Sequence, residues 1–355
     1  MNSKRQNVLE ISSPWKDNDN PIWLGSVLSL QRNIEKFNFP VNLSTEKRKQ
    51  LVSIVSQDLL ALDQLTKPYI LKAEDTSPLE KDFLFEYFLS PSSFMQAHVG
   101  EAFVLDKTGK FFATLNLGDH IHFRLLDTKG DLENSCNVLE NIEVALGQKV
   151  NYNFSPRFGF LTSDAADCGT AFTASVFLQL PALIHTGKLQ DFMLKHVDDS
   201  IVTTGLQGTL SEIIGDLLVV RNNFTLGLSE ENILSSVRSY VTKLIVHEQG
   251  LRKKLKEEES TEMKNKVSRA YGVLVHSYQI TVSEALNAIS LMKLGLELGW
   301  LTGVTIKELN ALFFGCRRAH LLAHCGEDID QEELPHKRAE YIHKVLQNAE
   351  LHIEE

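Results

Sequence analysis

Ten residues, Leu115-Asn116-Leu117-Gly118-Asp119-His120-Ile121-His122-Phe123-Arg124, restrict this chain more than any other stretch. Ile121, Phe123 and Leu125 alternate with His120, His122 and Arg124. A period of two marks a strand with one buried face and one polar face, and no helix can be built on it. The chain must therefore hold a sheet that turns an imidazole- and guanidinium-bearing side away from its core.

The flanking patterns supply the other elements. Residues 1–20 are polar, rich in Asn, Ser and Asp, and are expected to form a flexible N-terminal arm. Residues 21–30 read as extended. Ser44 or Thr45 caps a helix whose Leu51, Val52, Val55, Leu59 and Leu62 form one stripe. Residues 68–126 alternate like strands joined by turns, with a hairpin turn at 106–110 between Phe103-Val104-Leu105 and Phe111-Phe112-Ala113. An amphipathic helix follows at 131–147, and Ser229 caps another that carries Ile233, Val237, Val241, Leu244 and Ile245. The charged run 252–264 extends that helix or links it to the next domain, as a solvated face. Beyond it the pattern is helical at 265–276, 283–299, 305–323 and 335–352.

Composition narrows the class. A chain of 355 residues can bury one large core or two. A formal net charge of -10 argues against a nucleic-acid or anionic-membrane surface. Cys136, Cys168, Cys316 and Cys325 are spread without paired spacing, and no window reaches the ~18 apolar residues of a membrane span. The expectation is a soluble, cytoplasmic protein with reduced thiols.

The ten-residue run resembles the Asn-Glu-Glu-Asp-His-Leu-Arg signature of the ATP:guanidino phosphotransferases, the creatine, arginine and protein-arginine kinases. In that family the two Glu hold the guanidinium nucleophile and the Arg grips ATP phosphates. Those places carry Leu117, Gly118 and His122 here, while Asn116, Asp119 and His120 are kept. Further blocks follow in family order. Ser26, Leu30, Arg32 and Asn33 match an early segment whose two phosphate-binding arginines fall on Val27 and Ser29. The blocks 160–163 and 169–183 also match, with Thr173 where an ATP-clamping Arg belongs. A later loop keeps Gly205, Gly208, Ser211 and Glu212 but has Thr204 for its Arg and Thr209 for its first Glu. Residues 269–274 and 294–299 resemble the C-terminal domain of the bacterial protein-arginine kinases. The resemblance covers roughly residues 21–350. It implies an α+β fold: a guanidino-kinase-like catalytic domain at 21–250, with an antiparallel sheet flanked by helices, then a helical domain at 265–355 that forms a homodimer.

The family neutralises ATP with arginines, because phosphoryl transfer is mostly positioning plus charge compensation. None of the five cage positions, Val27, Ser29, His122, Thr173 and Thr204, is Arg or Lys. Each lost charge-assisted hydrogen bond costs ~1.5–3 kcal/mol. On the nucleophile side, Leu117, Gly118 and Thr209 cannot hold a guanidinium by paired carboxylates. Asp119 and Glu212 accompany the catalytic groups in the family and read as scaffold. The family's phosphoarginine-holding motif, Arg-Asp-x-x-Arg-Ala, corresponds to residues 334–339, where only Arg338-Ala339 remains. His120 and His122 share a strand face, and Cys316, His320 and His324 a helical stripe, but neither set reads as a metal site; i and i+8 lie ~12 Å apart along a helix.

The leading expectation is a degenerate protein-arginine kinase, a pseudokinase acting as a scaffold or regulator. It needs no cofactor. Its partners, by resemblance, are a zinc-binding activator protein and the Clp protease machinery, with no nucleic acid and no membrane. The competing expectation is an active enzyme that uses MgATP in a rearranged site to phosphorylate protein arginines. A third is a cleft lined by His120, His122, Arg124, Thr173, Thr204 and Thr209 that takes a less anionic ligand.

Overall fold

The computed structural model describes residues 7–353 except 12, 91, 207, 211, 212, 327 and 328. In chain order, β1 (Trp23–Arg32), α1 (Thr45–Leu60), β2 (Tyr69–Lys72), α2 (Pro78–Tyr87), β3 (Ala102–Leu105), β4 (Phe111–Leu115), β5 (Ile121–Asp127) and α3 (Leu132–Gly147) come first. A small hairpin of β6 (Phe154–Ser155) and β7 (Gly159–Phe160) leads to β8 (Phe172–Gln179), α4 (Pro181–His185) and α5 (Lys188–Lys195). Then come β9 (Ile201–Gly205), β10 (Leu217–Asn222) and the long α6 (Glu230–Glu257). The C-terminal part holds α7 (Thr261–His276), α8 (Val282–Leu298), β11 (Leu301–Thr302), α9 (Ile306–Gly315), α10 (Arg318–Cys325), α11 (Leu334–Val345) and β12 (Glu350–Leu351). Eight strands make one antiparallel sheet in the order β2-β3-β4-β5-β1-β8-β10-β9. The architecture is the α+β one that the sequence implied. None of the described helices is long and apolar enough to cross a membrane.

The period of two sorts the sheet into unlike faces. Leu28, Leu30, Phe123, Phe172, Ala174, Val176 and Val220 point to one side, where they join Leu51, Val55 and Leu59 of α1, Leu139 and Ile142 of α3, and Val237 and Leu244 of α6 in one core. Each fully buried side chain of this size contributes about 1.5–3 kcal/mol. On the other side the registers Ser29↔Arg124, Gln31↔His122 and Ser29↔Thr173 bring polar residues abreast. One end of that side is apolar, with Leu24, Phe103, Phe112, Leu126 and Phe177 packed with Leu286, Ile289, Phe313 and Phe314 of the C-terminal helices. The helices thus cover one end of this face and leave its polar end as a cleft.

Two buried basic side chains, Arg252 and Lys293, fasten the helices to the sheet. Arg252 donates from Nε to Glu248 Oε1 at 2.7 Å and pairs through Nη1 with Glu297. Glu248 is fully buried and accepts the orphan N–H groups of Ala182 and Leu183 at the start of α4, at 3.0 and 2.8 Å. Lys293, 1% exposed, donates to Gln179 Oε1 and to Asn310 Oδ1. Asn310 in turn donates to the carbonyls of Asn18 and Asn20. Burial, and next to it the Arg252 charge, push the Lys293 amine well below its usual range.

Ser44 and Ser229 cap α1 and α6, and the 106–110 turn joins β3 to β4, as expected. Four expectations are corrected. The arm is packed over its described residues: Val8 and Trp15 are fully buried, Trp15 stacks on Phe314 at 4.0 Å, and Asn18 donates to the carbonyls of Trp23 and Leu24. The stretch 68–126 contains the helix α2, started by the capping box of Ser77 and Glu80. The helix placed at 305–323 is broken at Cys316–Arg317 into α9 and α10, so Cys316, His320 and His324 share no stripe. The last helix ends at Val345, and the chain turns back to pair β12 with β11.

Candidate functional site

A cleft of about 530 Å³ opens on the polar end of the sheet. Its floor is laid by strand register: Val27 and Ser29 from β1, His122 from β5, Thr173 from β8 and Thr204 from β9 all line it. Leu117 and Gly118, in the turn between β4 and β5, line it too. The structure therefore gathers into one cleft all seven of these positions, which lie from 27 to 204 along the chain. Thr209 is not among the lining residues; it is exposed, and its carbonyl accepts the N–H of Gly205 at 2.7 Å. Glu212 and Ser211 lie outside the described residues.

Two cations line the cleft, from positions outside the five. Arg124 is 8% exposed, with its guanidinium 5.6 Å from the Phe112 ring and 5.8 Å from the Phe94 ring. Its Nη2 stands 2.8 Å from His122 Nδ1, and its Nη1 reaches Thr114 Oγ1 at 3.4 Å. Burial pulls Arg124 down to about 9, so it stays charged at neutral pH. Burial, and next to it the Arg124 charge, push the His122 imidazole well below its usual range. A neutral ring then offers its Nδ1 lone pair to the guanidinium. Arg221, opposite Ser175 in the β10–β8 register, is exposed and also lines the cleft. Asp167 supplies a counter-charge; burial, then the nearby Asp164, raise its carboxyl, against an opposing hydrogen bond from Gln31. Arg221 reaches the floor through long-range strand pairing, its register with Ser175 of β8.

The retained motif residues hold the backbone. Asp119 Oδ1 accepts from Asn33 Nδ2 and Ser163 N, both at 2.6 Å. His120 precedes β5 and is fully buried; its Nδ1 accepts the Ile34 N–H at 2.9 Å and its Nε2 donates to the Asn38 carbonyl at 2.8 Å. The His120 ring is directed at Ile34 and Asn38 and does not line the cleft as His122 does, which corrects the expectation that it would. Asn116, at φ 61°, donates to the carbonyls of Gly100 and Arg48. Ser26 is fully buried and donates to Asp127. Gly208, at φ 84°, closes a turn onto the Gly205 carbonyl. In the C-terminal part, the Arg338 fork is spent on the carbonyls of Cys316 and Ile280. Among the described residues no three His, Cys, Asp or Glu side chains stand together as a metal site.

Comparison with known proteins agrees with this architecture. Residues 50–251 match the model of the ATP:guanido phosphotransferase C-terminal catalytic domain, and residues 260–355 that of the Protein-arginine kinase McsB C-terminal domain. The chain is 32% identical over 331 residues to the protein-arginine kinase of Chlamydia pneumoniae, covering 92% of each chain. It is 32% identical over 344 residues to that of Halalkalibacterium halodurans, covering 96% of each. Among solved structures, a lombricine kinase superposes with a TM-score of 0.57 at 17% identity, over 69% of this chain and 70% of that one. The duplicated taurocyamine kinase from Schistosoma mansoni gives 0.58 at 20% identity, over 69% of this chain and 35% of that one. A shared fold is what those two superpositions carry. With one family model matched over more than half the chain and relatives matched over nearly all of it, this chain belongs to the ATP:guanido phosphotransferase family and sides within it with the protein-arginine kinases.

Proposed function

We propose that this family member works as a binding or regulatory protein without transferring phosphate. One observation carries the reading: the cleft walls at Val27, Ser29, His122, Thr173 and Thr204 offer hydroxyls, a methyl pair and a neutral imidazole where a triphosphate needs cations. Of the two cations that do line the cleft, Arg124 is already committed to His122 and Thr114. Leu117 and Gly118 bring no carboxylate of their own, and among the described lining residues Asp167 is the one carboxylic acid. The protein would act in the cytoplasm as a homodimer built on residues 265–355, where Tyr278 and Val282 remain exposed. Its partners would be the zinc-binding activator and Clp protease machinery of the active kinases.

Calorimetry with MgATP to millimolar concentration tests this. Wild type is expected to give no saturable heat, and Val27→Arg/Thr173→Arg to give weak binding, since each regained charge-assisted bond is worth ~1.5–3 kcal/mol. Saturable binding by wild type, together with acid-labile phosphoarginine on a protein substrate, would overturn the reading. It would favour a rearranged enzyme instead, for which the position of Arg124 and Arg221 in the cleft is the supporting observation. In that case Arg221→Ala would abolish the labelling.

A further inference from the structure

The cleft offers a ligand more hydroxyls than charges. Ser29 of β1 stands opposite Thr173 of β8, and Ser175 of β8 stands between Val27 of β1 and Arg221 of β10. All of them line the cleft, as does Thr204 of β9. Neighbours across the strands are roughly 5 Å apart, and same-face neighbours along a strand roughly 7 Å. One six-carbon molecule can therefore touch several of these groups at once. Ser29, Thr173, Ser175 and Thr204 are partly exposed and Arg221 is exposed. Among the described residues, none of the four hydroxyls has a hydrogen-bond partner, and Arg221 has neither a hydrogen bond nor an ion pair.

The guanidinium groups of Arg124 and Arg221, set against the single carboxylate of Asp167, leave one positive charge in the cleft. That balances one anionic group and falls far short of a triphosphate. Arg124 is held by His122 and Thr114, so Arg221 is the free fork for a carboxylate. The wall hydroxyls set the rest of the ligand. Each donates one hydrogen bond and accepts others, whereas phosphate oxygens only accept. A ligand that is itself hydroxylated serves both roles at several points. An ionised Asp167 accepts only, and it too calls for a hydroxyl donor.

We propose that the cleft binds a six-carbon sugar acid, a polyhydroxylated ring carrying one carboxylate. The cleft volume of about 530 Å³ lies within the ~300–1,000 Å³ range of small-molecule sites. Arg221 takes the carboxylate, and Ser29, Thr173, Ser175 and Thr204 exchange hydrogen bonds with the ring hydroxyls. This assignment rests on the proposal that the cleft takes no nucleotide, and it gives that binding protein its ligand class.

D-Glucuronate is the probe. D-Glucose keeps the hydroxyls and lacks the charge, while cyclohexanecarboxylate keeps the ring and the charge and lacks the hydroxyls. Calorimetry with the full chain is expected to show saturable binding of glucuronate, with each control weaker by about tenfold or more. Arg221→Gln should weaken glucuronate about tenfold and leave glucose unchanged, since only the carboxylate contact is lost. Thr173→Val, which keeps the side-chain shape, should weaken both sugars alike. Should either variant fail to fold, the three ligands compared on wild type decide. No saturable glucuronate binding, equal binding of the charged and uncharged sugars, equal binding of cyclohexanecarboxylate, or full affinity in folded Arg221→Gln would each overturn the assignment. MgATP titrated in parallel keeps the two proposals apart. Silence with both glucuronate and MgATP sinks the sugar acid alone, and saturable MgATP binding sinks the non-catalytic role together with the assignment built on it.

Discussion

Asp119→Ala is expected to destabilise the protein by about 1–3 kcal/mol, because one N–H of the buried Asn33 amide and the N–H of the exposed Ser163 lose the Oδ1 they share. Urea unfolding followed by circular dichroism would measure it as a lower midpoint at unchanged slope. Gly118→Ala, one residue away, should cost no more than about 1 kcal/mol. A Cβ there meets nothing within 4 Å, so only the strain of its φ of +81° remains. A large effect at 119 beside a small one at 118 separates the two layers of the motif. One layer fastens the β4–β5 turn to the β1 end, and the other faces the cleft and is free to change. A negligible loss at Asp119 would remove the structural account of why Asn116, Asp119 and His120 persist while their neighbours differ.

Arg252→Leu should cost more, about 3–5 kcal/mol, since it leaves the fully buried Glu248 without its cation. Guanidinium unfolding gives the number, and its pH dependence tests the cause. Burial raises the Glu248 carboxyl in the folded state, against the opposing Arg252 charge, and losing that charge raises it further. Above the unfolded value and below the folded one, the native state binds more protons than the unfolded state, so stability falls as pH rises. The deficit of Arg252→Leu should therefore shrink on going from pH 8 toward pH 5. Adding Glu248→Gln should recover part of the loss at neutral pH, because the amide oxygen still accepts one of the two N–H groups at the start of α4 without burying a charge. A pH-independent deficit would mean that lost packing of the arginine stem, not the stranded carboxylate, sets the cost.

The fold was legible wherever local pattern and final packing agree. The alternation through Ile121, Phe123 and Leu125 became the inner face of β5, and the caps at Ser44 and Ser229 sit where helices begin. What stayed hidden depends on partners far along the chain. The break before α10 is stabilised by Glu86, whose side chain takes the N–H groups of Ala319 and His320 that no local residue caps. Trp15 is buried because Phe314 offers it a flat surface across the molecule. The positions flooring the cleft could be aligned from motif order, but the entry of Arg221 follows from a register with Ser175 that no local spacing encodes. The capping box at Ser77 and Glu80 was a readable signal of α2, outweighed by the strand-like run around it.

The Lys293 junction has a consequence for how the molecule comes apart. Its acceptors reach β8 through Gln179 and, through Asn310, the carbonyls of Asn18 and Asn20 just ahead of β1. Releasing the helices from the sheet would strand an amine, two side-chain amides and two main-chain carbonyls at once. Neither half can loosen alone at small cost, so the chain should melt as a single thermodynamic unit, with calorimetric and van't Hoff enthalpies in agreement. Amide exchange would then find the segment before β1 protected to the same depth as the middle of the sheet.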